Sequence, residues 1–142
     1  MKYMLDTNIC IYLIKQQPRE VIDKFQRISP GEIVVSTVTV AEMMYGVGKS
    51  QYKEKNKTAL QAFLAPLEIV DFDFAAAQQY GVVRAYLEKT GKPIGAYDLM
   101  IAAHALSLGL VLVTNNEQEF QRIPDLIIEN WVTDRAYINH NS

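Results

Sequence analysis

Cysteine and histidine are nearly missing from this 142-residue sequence, with one of the first (Cys10) and two of the second. A single cysteine excludes an internal disulfide framework and a Cys-rich zinc site, and a lone thiol in an apolar run is ordinarily a small core residue. Histidine-based chemistry is poorly supplied: His104 sits inside IAAHALSL, where it reads as a core or buried-edge residue, and His140 lies in a polar tail. No apolar run reaches the roughly 18 residues of a membrane span. The stretch from Met4 to Ile14 is broken by Asp6, Thr7 and Asn8, so it resembles neither a span nor a signal peptide. No membrane association is expected, and the expected compartment is the cytoplasm. Also missing are Gly/Ser linkers, internal repeats and low-complexity tracts, which leaves one domain over 1–134 and a polar tail, 135–142, expected to fray. There is no excess of positive charge either. A net charge of −2 argues against gripping nucleic acid by bulk charge alone.

What is present suffices for one globular core, with 49% apolar and 21% charged residues. Tyr3 to Leu5 is expected as a strand, followed by a helix through Ile9 to Ile14. Pro18 suits the first turn of a second helix carrying Val21, Ile22, Phe25 and Ile28 at helical spacing. Ile33 to Val35 reads as a strand ending at Ser36 and Thr37, either of which can cap the helix running to about Gly48. A Lys-rich segment leads into a helix ending near Pro66. Glu68 to Asp71 reads as a third strand. Asp73 begins a long helix with Ala76, Tyr80, Val83 and Leu87 as its core stripe, stopped by Gly91 and Pro93. A helix over about Tyr97 to Leu108 ends at Gly109. Leu110 to Val113 reads as a strand buried on both faces, and Leu126 to Ile128 as a last short one. Helices alternating with apolar strands predict an α/β domain with a mainly parallel sheet.

In such sheets ligands bind beyond the carboxyl ends of the strands, so polar residues at that edge are the candidates for function. Asp6 directly follows the first strand and is equally a helix N-cap. Asp98 lies in the first turn of its helix, where the macrodipole also favours an anion. Glu42, within TVTVAEMMYG, has Val38, Thr39, Tyr45 and Gly46 at helical spacing, and hence no intrahelical cation. Asp98 shows the same lack, although both acids can still face water or find a distant arginine. After the fourth strand comes TNNEQEF, a loop of oxygen-bearing side chains leaving the same edge as Asp6. Glu119 is the expected inward acid there, with Glu117 as a substitute, and Asn116 a neutral ligand or hydrogen-bond partner. Converging carboxylates repel one another, and either take up protons or bind a cation. Oxygen ligands without cysteine or paired histidine favour Mg²⁺ or Mn²⁺. Lys49, Lys53, Lys55 and Lys57 stand against Glu54 alone; this is ordinarily a solvated helix face, with phosphate steering as the lesser reading. These residues by themselves leave a metal-dependent hydrolase and an α/β binding domain both open.

MLDTN near the start, the glutamate in VTVAEMMYG, PIGAYDLMIAAHA, and LVLVTNNEQEF followed by ENW together resemble the PIN-domain ribonucleases, and more closely the VapC-type toxins of bacterial toxin–antitoxin pairs. The resemblance runs from Tyr3 to about Trp131 and rests on four motifs in order at matching intervals. It implies a PIN-like three-layer α/β/α fold and Mg²⁺-dependent cleavage of RNA, with Mn²⁺ as a possible substitute. Asp6, Glu42 and Asp98 are implied as metal ligands and Glu119 as the fourth acid. Thr7, Asn8, Thr114 and Asn116 are implied to orient carboxylates or water. Relatives often have an aspartate where this chain has Asn116, which puts a second metal position in doubt, and often a proline at the position of Ala96. Also implied are homodimers, a small VapB-type antitoxin that binds in a hetero-oligomer, and a structured RNA substrate, best guessed as the initiator tRNA anticodon stem-loop. Apolar helix faces around Ile9 to Ile14 and Val38 to Val47 can accept the antitoxin, or serve as core or dimer packing. Tyr97, Arg84, Lys92 and Lys49 are the candidate RNA contacts. Two other classes stay open: a catalytically impaired binding module marked by Asn116, and an Asp6-nucleophile phosphatase. The phosphatase is disfavoured because Asn8 stands where a second aspartate is usual.

Overall fold

Short runs of branched apolar residues, each closed by a polar residue that opens the next helix, set the alternation of this chain. A computed structural model describes residues 2–133. In chain order it contains β1 (Tyr3–Leu5), α1 (Thr7–Lys15), α2 (Arg19–Gln26), β2 (Ile33–Ser36), α3 (Thr37–Gly48), α4 (Lys53–Leu64), β3 (Glu68–Val70), α5 (Phe74–Lys89), α6 (Ala96–Leu108), β4 (Val111–Val113), α7 (Glu117–Phe120) and β5 (Ile128–Glu129). The strands pair in the order β3-β2-β1-β4-β5, and every pairing is parallel. No described helix is long and apolar enough to cross a membrane.

Alternation along the strands divides the apolar residues between two cores. Leu5, Ile33, Val35 and Val113 pack with Ile9, Leu13, Val21 and Leu60 on the face covered by α1, α2 and α4. Their neighbours Met4, Val34 and Leu112 pack on the opposite face with Val83, Leu87, Leu99 and Ile101 of α5 and α6. This is a three-layer α/β/α sandwich around an all-parallel sheet, with strands apolar on both faces as burial on both sides requires. The chain builds outward from β1 to β2 and β3, then returns to lay β4 on the other flank of β1. The strand order therefore reverses between β1 and β4, where a crevice forms beyond their carboxyl ends.

A buried polar knot ties the end of β2 and the start of α3 to α6. Ser36 caps α3 by accepting from the Val38 N–H at 3.1 Å. Its Oγ also lies 2.8 Å from Nδ1 of His104, which is buried on α6 and makes a further hydrogen bond to the backbone of Asp71. The Phe72 ring meets the imidazole edge-on at 5.5 Å. Burial holds His104 below its usual pKa, hence neutral, so one ring nitrogen can accept from Ser36 while the other donates. His104→Ala should cost about 3 kcal/mol in urea unfolding, combining a cavity with lost hydrogen bonds. A loss under about 1 kcal/mol would mean that the knot is dispensable.

The fold departs from expectation in detail. Pro18 precedes α2 rather than lying inside its first turn, and Ile28 falls beyond the helix end. The last strand lies at Ile128–Glu129, not Leu126–Ile128, because Asp125 turns the chain with φ 65° and pairing to β4 begins only at Ile128. The expected oxygen-rich loop contains the helical turn α7, drawn inward by the fully buried Phe120; four residues are too few to show a helical period. Cys10 is buried in the core, as expected. The lysines of α4 are exposed, as on a solvated face. The expected tail, 135–142, lies outside the described residues.

Candidate active site

Asp6 leaves β1 at the crevice, its backbone N–H bonded to the Val113 carbonyl of β4 at 3.0 Å. The capping role open to it in the sequence is realised. Its Oδ1 caps α1 by accepting from the Ile9 N–H at 2.9 Å, and the carboxylate is only 4% exposed. Burial pushes its pKa up to about 6, and the charge of Glu42 adds to this. Hydrogen bonds from the Thr114 side chain and the backbone of Ile9 and Asn8 act in the opposite direction. Glu42 projects from α3, half-buried, and its Oε1 accepts from the Thr7 hydroxyl at 2.6 Å.

Asp98 enters from the first turn of α6. Burial first, then the charges of Glu119, Asp6 and Glu42 together with a hydrogen bond shared with Glu119, push its pKa up to about 7. Glu119, on α7, accepts from the Asn116 side-chain amide at 2.6 Å and from the Gly95 N–H at 3.3 Å. Glu117 is exposed and bonded to Asn130 at 3.1 Å. Of the two acids that the sequence left undecided, Glu119 is therefore the one facing Asp98. None of the four acids is ion-paired to lysine or arginine among the described residues.

The arrangement fits a hard divalent cation by its donor chemistry: carboxylate oxygens only, mutually repelling, with no compensating positive side chain. Among the described residues no three acidic, histidine or cysteine side chains are drawn together closely enough to hold an ion; Asp98 and Glu119 share a hydrogen bond instead.

The model of the PIN domain matches residues 3–126. Ribonuclease VapC2 of Haemophilus influenzae is 48% identical over 132 residues, covering 93% of this chain and 99% of the relative. The tRNA(fMet)-specific endonuclease VapC of Shigella flexneri is 44% identical over 131 residues, covering 92% and 98%. This chain belongs to the PIN-domain family, within its VapC branch. VapBC2 from Rickettsia felis, solved bound to a DNA fragment from its promoter, has a chain that superposes on this VapC-family fold with a TM-score of 0.88, 44% identity, and coverage of 93% of this chain and 100% of that one.

In this PIN domain, Thr7, Thr114 and Asn116 each hydrogen-bond one of the acids through a side chain. Asn8 does so only through its backbone, and its side chain is exposed. Asn116 thus offers Glu119 a donor where an aspartate would add an acid. The candidate RNA contacts are scattered. Tyr97 is exposed beside Asp98, and Lys92 is exposed on the loop before α6. Arg84 is committed to Glu88 at 2.8 Å and the Tyr80 hydroxyl at 2.9 Å, and Lys49 lies over the Tyr45 ring. Two groups escaped the sequence reading. The Gly95 N–H on Glu119 leaves no sequence signal, and Arg122, isolated in an unremarkable stretch, proves to be half-buried beside the Lys92 loop. An apolar groove of about 320 Å³, lined by Ile11, Ile14, Met43, Val47 and Leu60, has Glu42 in its wall.

Proposed function

We propose that this chain is a divalent-metal-dependent endoribonuclease, the toxin of a toxin–antitoxin pair, with Asp6, Glu42 and Asp98 holding the ion and Glu119 completing the acidic set. The observation behind this reading is the convergence of four cation-free carboxylates from four separate elements on the crevice between β1 and β4. Mg²⁺ is the proposed ion, with Mn²⁺ able to replace it. When bound, it supplies Lewis acidity for water activation and for charge developing on the phosphate. The residues do the positioning: Thr7 fixes Glu42, Thr114 and the start of α1 fix Asp6, and Asn116 with the Gly95 N–H fixes Glu119.

By likeness to the Shigella flexneri enzyme, whose name gives tRNA(fMet) as substrate, the proposed substrate is initiator tRNA, cut in the cytoplasm so as to arrest translation and growth. The proposed partners are a second copy of the chain and a VapB-type antitoxin, by likeness to the VapBC structure of Rickettsia felis. A segment of that antitoxin filling the groove between α1, α3 and α4 would lie against Glu42, which suits inhibition.

The test is incubation of the purified chain with an initiator tRNA transcript across a Mg²⁺ titration, followed by mapping of new 5′ ends. Metal-dependent cleavage abolished by EDTA is expected. Asn116 carries the second reading, a module that binds RNA without cutting it. Mg²⁺-indifferent RNA binding with no cleavage under Mg²⁺ or Mn²⁺ would establish that reading instead.

A further inference from the structure

Four carboxylates in one crevice repel the polyanion that the proposed reaction must admit, and an ion among them offsets that charge at one phosphate only. The phosphates on either side need cations of their own. Between the loop before α6 and the turn α7, which carries Glu119, lies an open groove of about 490 Å³ lined by Gly91, Lys92, Pro93, Gln118, Gln121 and Arg122. Arg122 is half-buried, and its Nη1 donates to the Pro93 carbonyl at 3.1 Å. That contact orients the guanidinium yet uses only part of its five donors. No carboxylate pairs with it among the described residues. Lys92 is exposed and its side chain has no partner among the described residues, while its backbone N–H is pinned to the Leu87 carbonyl at 2.9 Å.

None of the four acids lines the groove, but its walls belong to the two segments that carry Gly95 and Glu119. Gln118 precedes Glu119 on α7, and Lys92 stands three residues before Gly95, whose N–H holds Glu119. Three residues span at most about 11 Å of chain, so the backbone that carries Lys92 lies close to the backbone that holds Glu119. We propose that Arg122 and Lys92 form a phosphate-binding subsite that grips the RNA backbone beside the bond to be cut. The fixed planar fork of Arg122 suits two phosphate oxygens, and Lys92 contributes a mobile point charge. Gln118 and Gln121 offer neutral donors to the same strand. This inference rests on the nuclease reading and deepens it, because it says on which side of the acids the backbone runs.

The test uses the full-length chain carrying Asp98→Asn, so that RNA survives, and a fluorescein-labelled single-stranded RNA of about 12 nucleotides, read by anisotropy over a NaCl series. Adding Lys92→Glu or Arg122→Ala should weaken binding about fivefold or more and lower the slope of log affinity against log salt by about one. Arg122→Lys should recover part of the loss. Unchanged affinity and slope in both charge-removing variants, while the chain with Asp98 intact still cuts RNA with Mg²⁺, overturns the subsite and leaves the nuclease reading standing. Absence of both binding and cleavage in every form overturns both. Arg122→Ala also removes the bond to Pro93, so Lys92→Glu decides the matter if that variant fails to fold.

Discussion

Asp98→Asn should lower RNA cleavage by about 10²- to 10³-fold while raising the melting temperature of the metal-free protein at pH 8. The first effect follows from the position of Asp98, at the start of α6 and within the influence of Glu119, Asp6 and Glu42. On the proposed role of Asp98 as a ligand, its loss removes several kcal/mol of transition-state stabilisation. The second effect follows from the sign of the shift. Asp98 is pushed from 3.8 up to about 7, so the folded protein holds its proton over a range in which the unfolded chain has released it. Above that range the ionised carboxylate is a strain on the fold, and a neutral amide removes it while still donating to Glu119. A gain of a few degrees is expected, within the scale of 1 kcal/mol for a domain of this size. Cleavage within twofold of the unsubstituted chain would remove Asp98 from the site. Lost cleavage with an unchanged melting temperature would show that the carboxylate is not strained.

The metal-free protein should lose stability as the pH rises from about 4 to 8, and Mg²⁺ should restore it only at the upper end. Asp6 and Asp98 are both raised, to about 6 and about 7. Between pH 4 and these values the folded state binds more protons than the unfolded chain, and stability therefore falls with increasing pH. This is the reverse of the usual carboxylate, whose folded pKa is depressed and which loses stability as the pH drops. A divalent ion binds the ionised acids of the folded state and must displace the protons to do so. At 100 times its dissociation constant it adds about 2.7 kcal/mol. Melting curves with EDTA or excess Mg²⁺ should therefore diverge at about pH 8 and coincide near pH 4.5. Equal Mg²⁺ shifts at both ends would mean that binding is unlinked to these carboxylates.

Much of this architecture is already present in local chemistry. A run such as Ile33 to Val35 is short and branched enough to be a strand and nothing else. Ser36, Asp73 and Gly109 mark helix ends because capping and left-handed backbone are properties of single residues. The elements expected around Asp6, Glu42 and Asp98 all stand, since Glu42 and Asp98 lie on helices of 12 and 13 residues and Asp6 joins an apolar strand to a helix that it caps. The four-residue turn α7 reads as loop in the sequence, and the two-residue strand β5 reads as starting two residues early, because neither is long enough to carry a period; the burial of Phe120 and the pairing with β4 set them.

Asp6 as a strand-ending acid, the lack of any cation near Glu42 and Asp98 along their helices, and the motif order that marks the PIN family are properties of neighbours in the chain. Only the tertiary structure could choose Glu119 over Glu117, because two residues apart on one helical turn face nearly opposite ways and packing alone selects between them. Arg84 and Glu88 are helical neighbours four apart, a pair that chain order already suggests, but it could not reveal that Arg122 is held at the Pro93 carbonyl beside Lys92 with its charge unpaired among the described residues. Which charges meet depends on contacts between distant segments, and those exist only once β4 has returned to the side of β1.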